Sequence, residues 1–399
     1  MSAAPRLSTL ILLSAFSILP LSMFLPSLAS IAQEFDTEYG VVSLALAGYV
    51  AVSAVLQLVL APLSDRFGRR PIILLGIVIF TGASFGCALA SDIWTFLAFR
   101  MFQAAITSGY AVALAVVRDT TTKERTASKI GYIAMAWSIA PMLGPLFGGL
   151  LDELFGWRAS FWFLGMTGLG MFALCWIDLG ETNTRRANTV AEQFRRYPSL
   201  LCSPLFWSFA LCMALIAGTF HAFLAGSPLV AATIFNLQPA MLGFFMGTIT
   251  MGFAFGSFLS GRHFGGKNLA TALLTGRIIA IAGPAIGLVL IALGIEHVMA
   301  FFGPCVLIGI GNGISMPSAN AGALSINPEI AGTAAGLAGA ITVAGSAAIS
   351  SITGAALTTD GAASMLLFIL LAVTTLSLLA AILASRLEGQ RTVAGRSAK

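Results

Sequence analysis

Long apolar stretches alternate with short polar connections over almost the whole chain. Each stretch holds about 20 residues, the length of helix that crosses the hydrocarbon core of a bilayer. The pattern predicts an all-α membrane protein with twelve transmembrane helices. We number them spans 1 to 12 in chain order: 7–29, 41–63, 72–91, 94–117, 129–150, 159–179, 205–229, 240–260, 270–293, 297–322, 331–355 and 362–385.

The composition agrees with a lipid environment. Of the 399 residues, 58% are hydrophobic and 9% are charged, and the mean hydropathy is +0.93. A soluble domain carries about 25% charged residues, and one of this length could not hide so much apolar surface. The net charge is +5, but no basic stripe is interleaved with aromatic residues, so we expect no nucleic-acid partner.

The basic residues predict which side of the membrane each connection faces. With the N-terminus in the cytoplasm, all 21 lysines and arginines except Arg100, Arg158 and Arg277 fall on the cytoplasmic side. One helix too many or too few would reverse the side assigned to every later connection and would remove this excess of basic residues on one side. We therefore expect a multi-pass protein of the cell (inner) membrane with both termini cytoplasmic. Arg6 before span 1 also fits a cleaved signal peptide, but no clean small-residue cleavage site follows, which favours an uncleaved helix.

The chain divides into two nearly equal halves. The polar stretch 181–204 predicts a cytoplasmic linker between residues 1–180 and residues 205–399. The connections after span 2 and span 8 share a turn rich in Gly, Arg and Lys, and spans 5 and 11 share a stripe of small residues at the same spacing. These features predict two pseudo-repeated six-helix bundles, with a substrate site at the repeat interface near mid-bilayer.

Three motifs resemble signatures of the major facilitator superfamily: PLSDRFGRRP at 62–71, RMFQ at 100–103 and APMLGPLFGG at 140–149. Shorter motifs are similar to the Bcr/CflA branch of drug exporters: VRD at 117–119, FGWR at 155–158, AGSP at 225–228 and AGTA at 331–334. The resemblance implies the major facilitator fold. It also implies export of bicyclomycin, chloramphenicol-type drugs or sulfonamides in exchange for protons.

One position departs from that branch, which usually carries an aspartate in its first helix just before an aromatic-Leu-Pro run. Here the run is Phe24-Leu25-Pro26, after Met23, and the matching residue is Ser22. A buried carboxylate can carry protons, because loss of hydration brings its pKa toward the working pH. A serine cannot, so the usual proton carrier is missing from this position.

Two segments are predicted to control conformational change. In the connection after span 2, a carboxylate flanked by guanidinium groups can pair with neighbouring helix ends and latch one conformation; the alternative for its arginines is simple positive-inside topology. The small-residue stripe in span 5 predicts close helix packing. The resemblance implies in addition that this stripe forms a leak-proof contact surface between helices, which exchange transport needs. The residues are Asp65, Arg66, Gly68, Arg69, Arg70, Pro141, Gly144, Pro145 and Gly148.

A second set is predicted to line the substrate or proton pathway. Arg100 lies inside span 4, where a guanidinium group normally faces a cavity or a partner, or else snorkels to the interface. His221 can carry a proton near neutral pH or simply hydrogen-bond another helix. Arg277 is expected to be a structural or interfacial charge, because span 9 corresponds to a lipid-facing helix of the superfamily. The other candidates are Ser22, Tyr49, Gln57, Gln103, Tyr110, Trp137 and Asn312, polar and aromatic groups typical of drug sites.

The sequence thus predicts a secondary-active exporter of small amphipathic compounds that works by alternating access. A facilitator or importer of a weakly charged metabolite is the alternative within transport. A membrane-bound enzyme or receptor would need a catalytic cluster or a sizeable soluble domain, and the sequence offers neither. It also has no G-x-x-x-x-G-K-[ST] nucleotide motif. We expect no enzymatic activity, no cofactor or metal, protons as the coupling ion, and a monomer.

Overall fold

A computed structural model describes residues 5–120, 123–182, 200–264, 269–295, 297–326, 331–358 and 361–397. Within these ranges the regular structure is helical and contains no strand. Eleven of the helical stretches are long and apolar enough to cross a membrane. Span 5 lies in a further helix of 33 residues, Lys123–Phe155. The all-α prediction is confirmed.

The helices of the first half follow the predicted spans, with breaks in two of them. Their bounds are Leu7–Ser22, a 3-10 turn Leu25–Ser27 and Leu28–Glu34 for span 1; Tyr39–Phe67 for span 2; Arg69–Leu89 for span 3; Ile93–Phe102, a 3-10 turn Gln103–Thr107 and Ser108–Thr120 for span 4; Lys123–Phe155 for span 5; and Arg158–Asp178 for span 6.

The second half has one helix for each predicted span. The bounds are Pro204–Thr233, Pro239–Leu259, Leu269–Ala292, Val298–Ser325, Ala331–Ala356 and Ala362–Ser397 for spans 7 to 12, and a π-helical turn Ser260–Phe264 ends span 8. Span 12 continues past its predicted end because hydropathy marks only the part of a helix that lies in lipid. Polar residues with good helix propensity extend it beyond that limit.

Spatial proximity groups the chain into two compact units, Met1–Val190 with Asn236–Gly247, and Ala191–Phe235 with Thr248–Lys399. In the first unit, span 1 packs against span 5, and span 3 packs against span 6. In the second, span 9 packs against span 10, and span 7 packs against spans 11 and 12. Residues 183–199 of the predicted linker lie outside the described residues, so the predicted division at 181–204 remains a prediction.

Prolines cause the break in span 1, where the apolar pattern predicts one continuous helix. Pro26 has no amide hydrogen to donate to the carbonyl group of Ser22, four residues earlier. The helix ends at Ser22 and resumes at Leu28 after the 3-10 turn. Pro20 lies in the last turn before the break. The break therefore leaves backbone carbonyl groups near Pro20 without helical partners, and other groups can bind them.

Candidate functional site

Arg100 lies at the centre of a buried polar cluster in the first unit. Its side chain has no exposed surface. Nη1 donates to Gln103 Oε1 at 2.6 Å, and Nη2 donates to the carbonyl oxygen of Pro20 at 2.7 Å, at the break in span 1. The guanidinium carbon lies 4.0 Å from the ring centre of Phe24 and 4.4 Å from that of Tyr49. The snorkelling alternative for Arg100 is therefore wrong.

The partners of Arg100 extend the cluster to a neighbouring helix. Gln103 Nε2 donates to Ser84 Oγ at 2.7 Å, and that hydroxyl donates to the carbonyl oxygen of Phe80 at 2.8 Å within span 3. Spans 1, 3 and 4 are thus joined through one arginine and one glutamine. We call Pro20, Phe24, Tyr49, Arg100 and Gln103 the Arg100 cluster.

Two buried polar atoms of this cluster, and a third on Ser22 at the break in span 1, have no hydrogen-bond partner within the described chain. They are Arg100 Nε, Tyr49 Oη and Ser22 Oγ. An unpaired buried polar group costs about 1–3 kcal/mol, so such groups are rare and mark places where a partner is missing. The Arg100 cluster therefore has donors available in a closed, apolar setting.

A second buried arginine occupies the other unit, where we expect a structural or an interfacial charge. The structural alternative is confirmed, and the interfacial one is wrong. Arg277 has no exposed surface. Its Nε donates to Ser315 Oγ at 3.0 Å, Nη1 to Ser377 Oγ at 3.5 Å and Nη2 to Asn312 Oδ1 at 2.8 Å. Asn312 Nδ2 in turn donates to the carbonyl oxygen of Ile216 at 3.3 Å. Arg277 thus joins spans 9, 10 and 12, and Asn312 extends the network to span 7.

The two arginine networks occupy related places in the repeats. Each lies between the third and fourth helices of its half and reaches a backbone carbonyl group in the first helix, Pro20 or Ile216. Pro20 and Ile216 are separated by the same number of residues as Leu63 and Leu259, which lie in the related connections after spans 2 and 8. The two carbonyl groups therefore occupy equivalent positions in the two repeats. The arginine itself comes from the fourth helix in one half and from the third in the other. Sequence alignment of the halves could not reveal this correspondence.

The small-residue stripe of span 5 packs against the break in span 1. A Cβ atom at Gly144 would lie 2.5 Å from Ser22 Oγ, and one at Gly148 would overlap the carbonyl oxygen of Met23. Pro145 is buried and Pro141 is half-buried. The predicted close packing is therefore present, and its partner is the irregular segment of span 1. Its role in exchange remains a prediction.

The connection after span 2 is held by the carboxylate of Glu181, which is not among the predicted site residues. Glu181 Oε1 accepts from the backbone amide of Arg69 at 3.0 Å, and Oε2 accepts from that of Arg70 at 3.2 Å, at the start of span 3. Gly68 has φ +109°, and a Cβ there would overlap the Glu181 carboxylate. The Asp65 side chain lies outside the described residues. Nothing in the spacing of residues links position 181 to position 69, so only the fold could bring them together.

The arginines of this connection have local partners. Arg69 Nη1 donates to Ser64 Oγ at 2.7 Å. Arg70 Nη2 donates to the carbonyl oxygen of Trp176 at 2.8 Å and lies over the Trp176 ring. Arg66 is exposed and lies over the ring of Phe67. Glu181 and Arg70 together bind the connection after span 2 to the end of span 6.

Removing the Glu181 carboxylate should loosen this connection. We expect Glu181→Ala to lower the free energy of unfolding by about 1 kcal/mol, the usual effect of losing a carboxylate at a helix N-terminus. Glu181→Gln, which keeps one acceptor oxygen, should have a smaller effect. Thermal unfolding of the purified protein measures both. Glu153→Ala, at an exposed carboxylate, is the control, and equal effects at positions 153 and 181 would contradict this role.

The remaining candidates are scattered. His221 is half-buried, and its Nδ1 lies 2.9 Å from the carbonyl oxygen of Ala217, so Nδ1 donates and Nε2 is left to accept a proton. Tyr110 is half-buried in span 4. The side chains of Gln57 and Trp137 lie outside the described residues. In the ranges that the structure describes, no group of His, Cys, Asp and Glu side chains is arranged to hold a metal ion.

Comparison with known proteins identifies the relatives of this architecture. A family model described as Major Facilitator Superfamily matches residues 10–351. The chain is 30% identical to a chloramphenicol resistance protein of Pseudomonas aeruginosa over 82% of this chain and 78% of that protein. It is 29% identical to a bicyclomycin resistance protein homolog of Haemophilus influenzae, over 89% of this chain and 90% of that protein.

A solved structure shows the same fold. A bacterial homolog to the human lysosomal transporter Spinster superposes with a TM-score of 0.77 at 18% identity, covering 95% of this chain and 96% of that one. The predicted twelve-helix fold is confirmed by this likeness, which carries no information on substrate.

Proposed function

The chain belongs to the major facilitator superfamily, and on that premise we propose that it exports small, amphipathic, drug-like compounds by alternating access. It is a multi-pass membrane transporter and not an enzyme. The observation that carries the proposal is its similarity, over most of its length, to proteins named for chloramphenicol and bicyclomycin resistance. The apolar and aromatic surroundings of Arg100 are of the kind that bind such compounds.

Several finer features belong to the same proposal. Both termini face the cytoplasm, the protein resides in the inner membrane as a monomer, and residues 1–180 and 205–399 are the two moving halves. The asymmetry of basic residues supports this orientation. Protons drive the exchange, and because Ser22 has no carboxylate, we place the proton on another group.

Drug susceptibility of cells that express the chain tests the export itself. We expect raised tolerance to chloramphenicol-type or bicyclomycin-type compounds and lower cellular accumulation of them, compared with cells carrying an empty vector. Unchanged tolerance across a broad panel, together with substrate-dependent inward uptake, would instead support the facilitator or importer.

Among the residues that the structure describes, we propose His221 as the proton carrier, because its Nε2 can accept a proton within span 7. In proteoliposomes with an imposed pH gradient, we expect His221→Ala to reduce gradient-driven drug transport at least fivefold while drug exchange without a gradient continues. His263→Ala, at an exposed histidine at the end of span 8, is the matched control. Full coupling in His221→Ala would remove His221 from the pathway.

A further inference from the structure

We propose that the Arg100 cluster binds an anionic group where the cargo has one, so that among compounds of similar shape the protein prefers the anions of aromatic or amphipathic weak acids. This inference rests on the proposed transport function and specifies its substrate class. The described structure supplies three independent reasons: the charge of the cluster, its open donors and its shape.

The first reason is charge. Arg100 is fully buried, and every partner that the structure gives it is uncharged: the amide of Gln103, the carbonyl group of Pro20, and the rings of Phe24 and Tyr49. An ion in an apolar interior loses most of its hydration energy, and neutral acceptors offset only part of that loss. The field of the guanidinium group therefore favours an anion and repels a cation at this position.

The second reason is the set of open donors. Nη1 and Nη2 each have an acceptor, whereas Nε has none, and the hydroxyl of Tyr49, whose ring centre lies 4.4 Å from the guanidinium carbon, has none either. The Nε edge of a guanidinium group presents two parallel N–H groups that match the two oxygens of a carboxylate. One carboxylate at this edge would take the unpaired Nε–H, and the Tyr49 hydroxyl is a further donor in the same cluster.

The third reason is shape. The rings of Phe24 and Tyr49 lie close against the guanidinium group, so an acceptor must approach along an in-plane edge. The same rings offer an apolar surface for the aromatic part of a ligand. The edge is closed in this structure, and a ligand therefore enters when the surrounding helices part, as occluded transport sites require.

The guanidinium group of Arg277 lacks the unpaired Nε edge that Arg100 has. Each of its three nitrogen atoms has an acceptor, Ser315, Ser377 or Asn312. Both arginines are buried and both lack a carboxylate among the partners that the described chain provides. The unpaired donors therefore assign the anion site to Arg100.

Three probes that share one ring system test the inference: 2-naphthoate, 2-naphthamide and 2-naphthylmethylammonium. Binding to the purified full-length protein is measured by the shift in melting temperature over a concentration series, at a pH where the first is an anion and the last a cation. We expect 2-naphthoate to bind at least tenfold more tightly than the amide, and the ammonium probe more weakly than either. Equal binding of all three, or tightest binding of the ammonium probe, would overturn the inference.

Two variants connect the charge preference to the cluster. Tyr49→Phe removes a hydroxyl group that has no partner, so the fold should be at least as stable while the carboxylate preference falls about threefold to tenfold. Ser22→Asp adds a carboxylate two residues from the Pro20 carbonyl group and should abolish the preference by supplying an internal counter-ion. Ser160→Ala, which removes another unpartnered buried hydroxyl outside the cluster, should leave the preference unchanged.

Each outcome discriminates between the two proposals. An unaltered preference in both Tyr49→Phe and Ser22→Asp would overturn the inference even if drug export is normal. A carboxylate preference that depends on these residues, in a protein that confers no drug tolerance, would contradict only the proposed export function.

Discussion

Gly148→Ala should lower the free energy of unfolding by about 3 kcal/mol or more and reduce transport to less than a tenth, because the new methyl group has no room. Its Cβ would overlap the carbonyl oxygen of Met23, so spans 1 and 5 would have to separate along their contact. Overpacking in a close-packed interior commonly costs about 1–3 kcal/mol, and a clash with backbone lies at the upper end because a backbone cannot rotate away. Thermal unfolding and transport by the purified protein measure the two effects.

Alanine substitutions at two other glycines, one with a smaller clash and one with none, serve as comparisons for Gly148→Ala. A Cβ at Gly144 would meet the Ser22 side chain at 2.5 Å, and Gly144→Ala should therefore cost less than Gly148→Ala. Gly170, in span 6, has no atom within 4 Å of the position its Cβ would occupy, so Gly170→Ala should be neutral or slightly stabilising through helix propensity. If Gly148→Ala behaved like Gly170→Ala, the described contact between spans 1 and 5 would be wrong.

Asn312→Leu should be the most damaging polar substitution in the second unit. It removes the acceptor of Arg277 Nη2, which lies 2.8 Å from Asn312 Oδ1, and leaves part of a buried charge unpaired. Loss of a hydrogen bond to a charged group costs about 1.5–3 kcal/mol, and we expect a decrease in the free energy of unfolding of that size. Denaturation of the purified protein is the measurement.

The double variant Asn312→Leu/Arg277→Met identifies the cause. It removes the buried charge together with its acceptor, so it should be more stable than Asn312→Leu alone, as is found when buried ion networks are replaced by apolar side chains of similar volume. A cycle that includes Arg277→Met should give a coupling energy of at least about 1 kcal/mol. Strictly additive effects would show that Asn312 stabilises the fold independently of Arg277.

Much of the architecture could be predicted from the residues alone. Apolar stretches of bilayer length must become helices, since a backbone in lipid has to satisfy its own hydrogen bonds. That rule locates the spans, and the small-residue stripe of span 5 correctly indicated close packing. The motif at 100–103 also pointed to an arginine and a glutamine that act together, because residues three apart share a helix face, and the two are bonded in the structure.

Contacts between distant segments could not be predicted in this way. Glu181 caps a helix that begins 112 residues earlier. For Arg277 the resemblance left a structural and an interfacial charge open, because the place of span 9 in the fold does not say which face of that helix points inward. The unpaired donors of Arg100 and Tyr49 likewise arise only when spans 2 and 4 pack against span 1 at its proline break. Sequence by itself determined the membrane helices and the family, since lipid imposes a local rule on every span. The tertiary structure alone decided which buried charges are satisfied and which remain available, because that depends on side chains far apart in the chain.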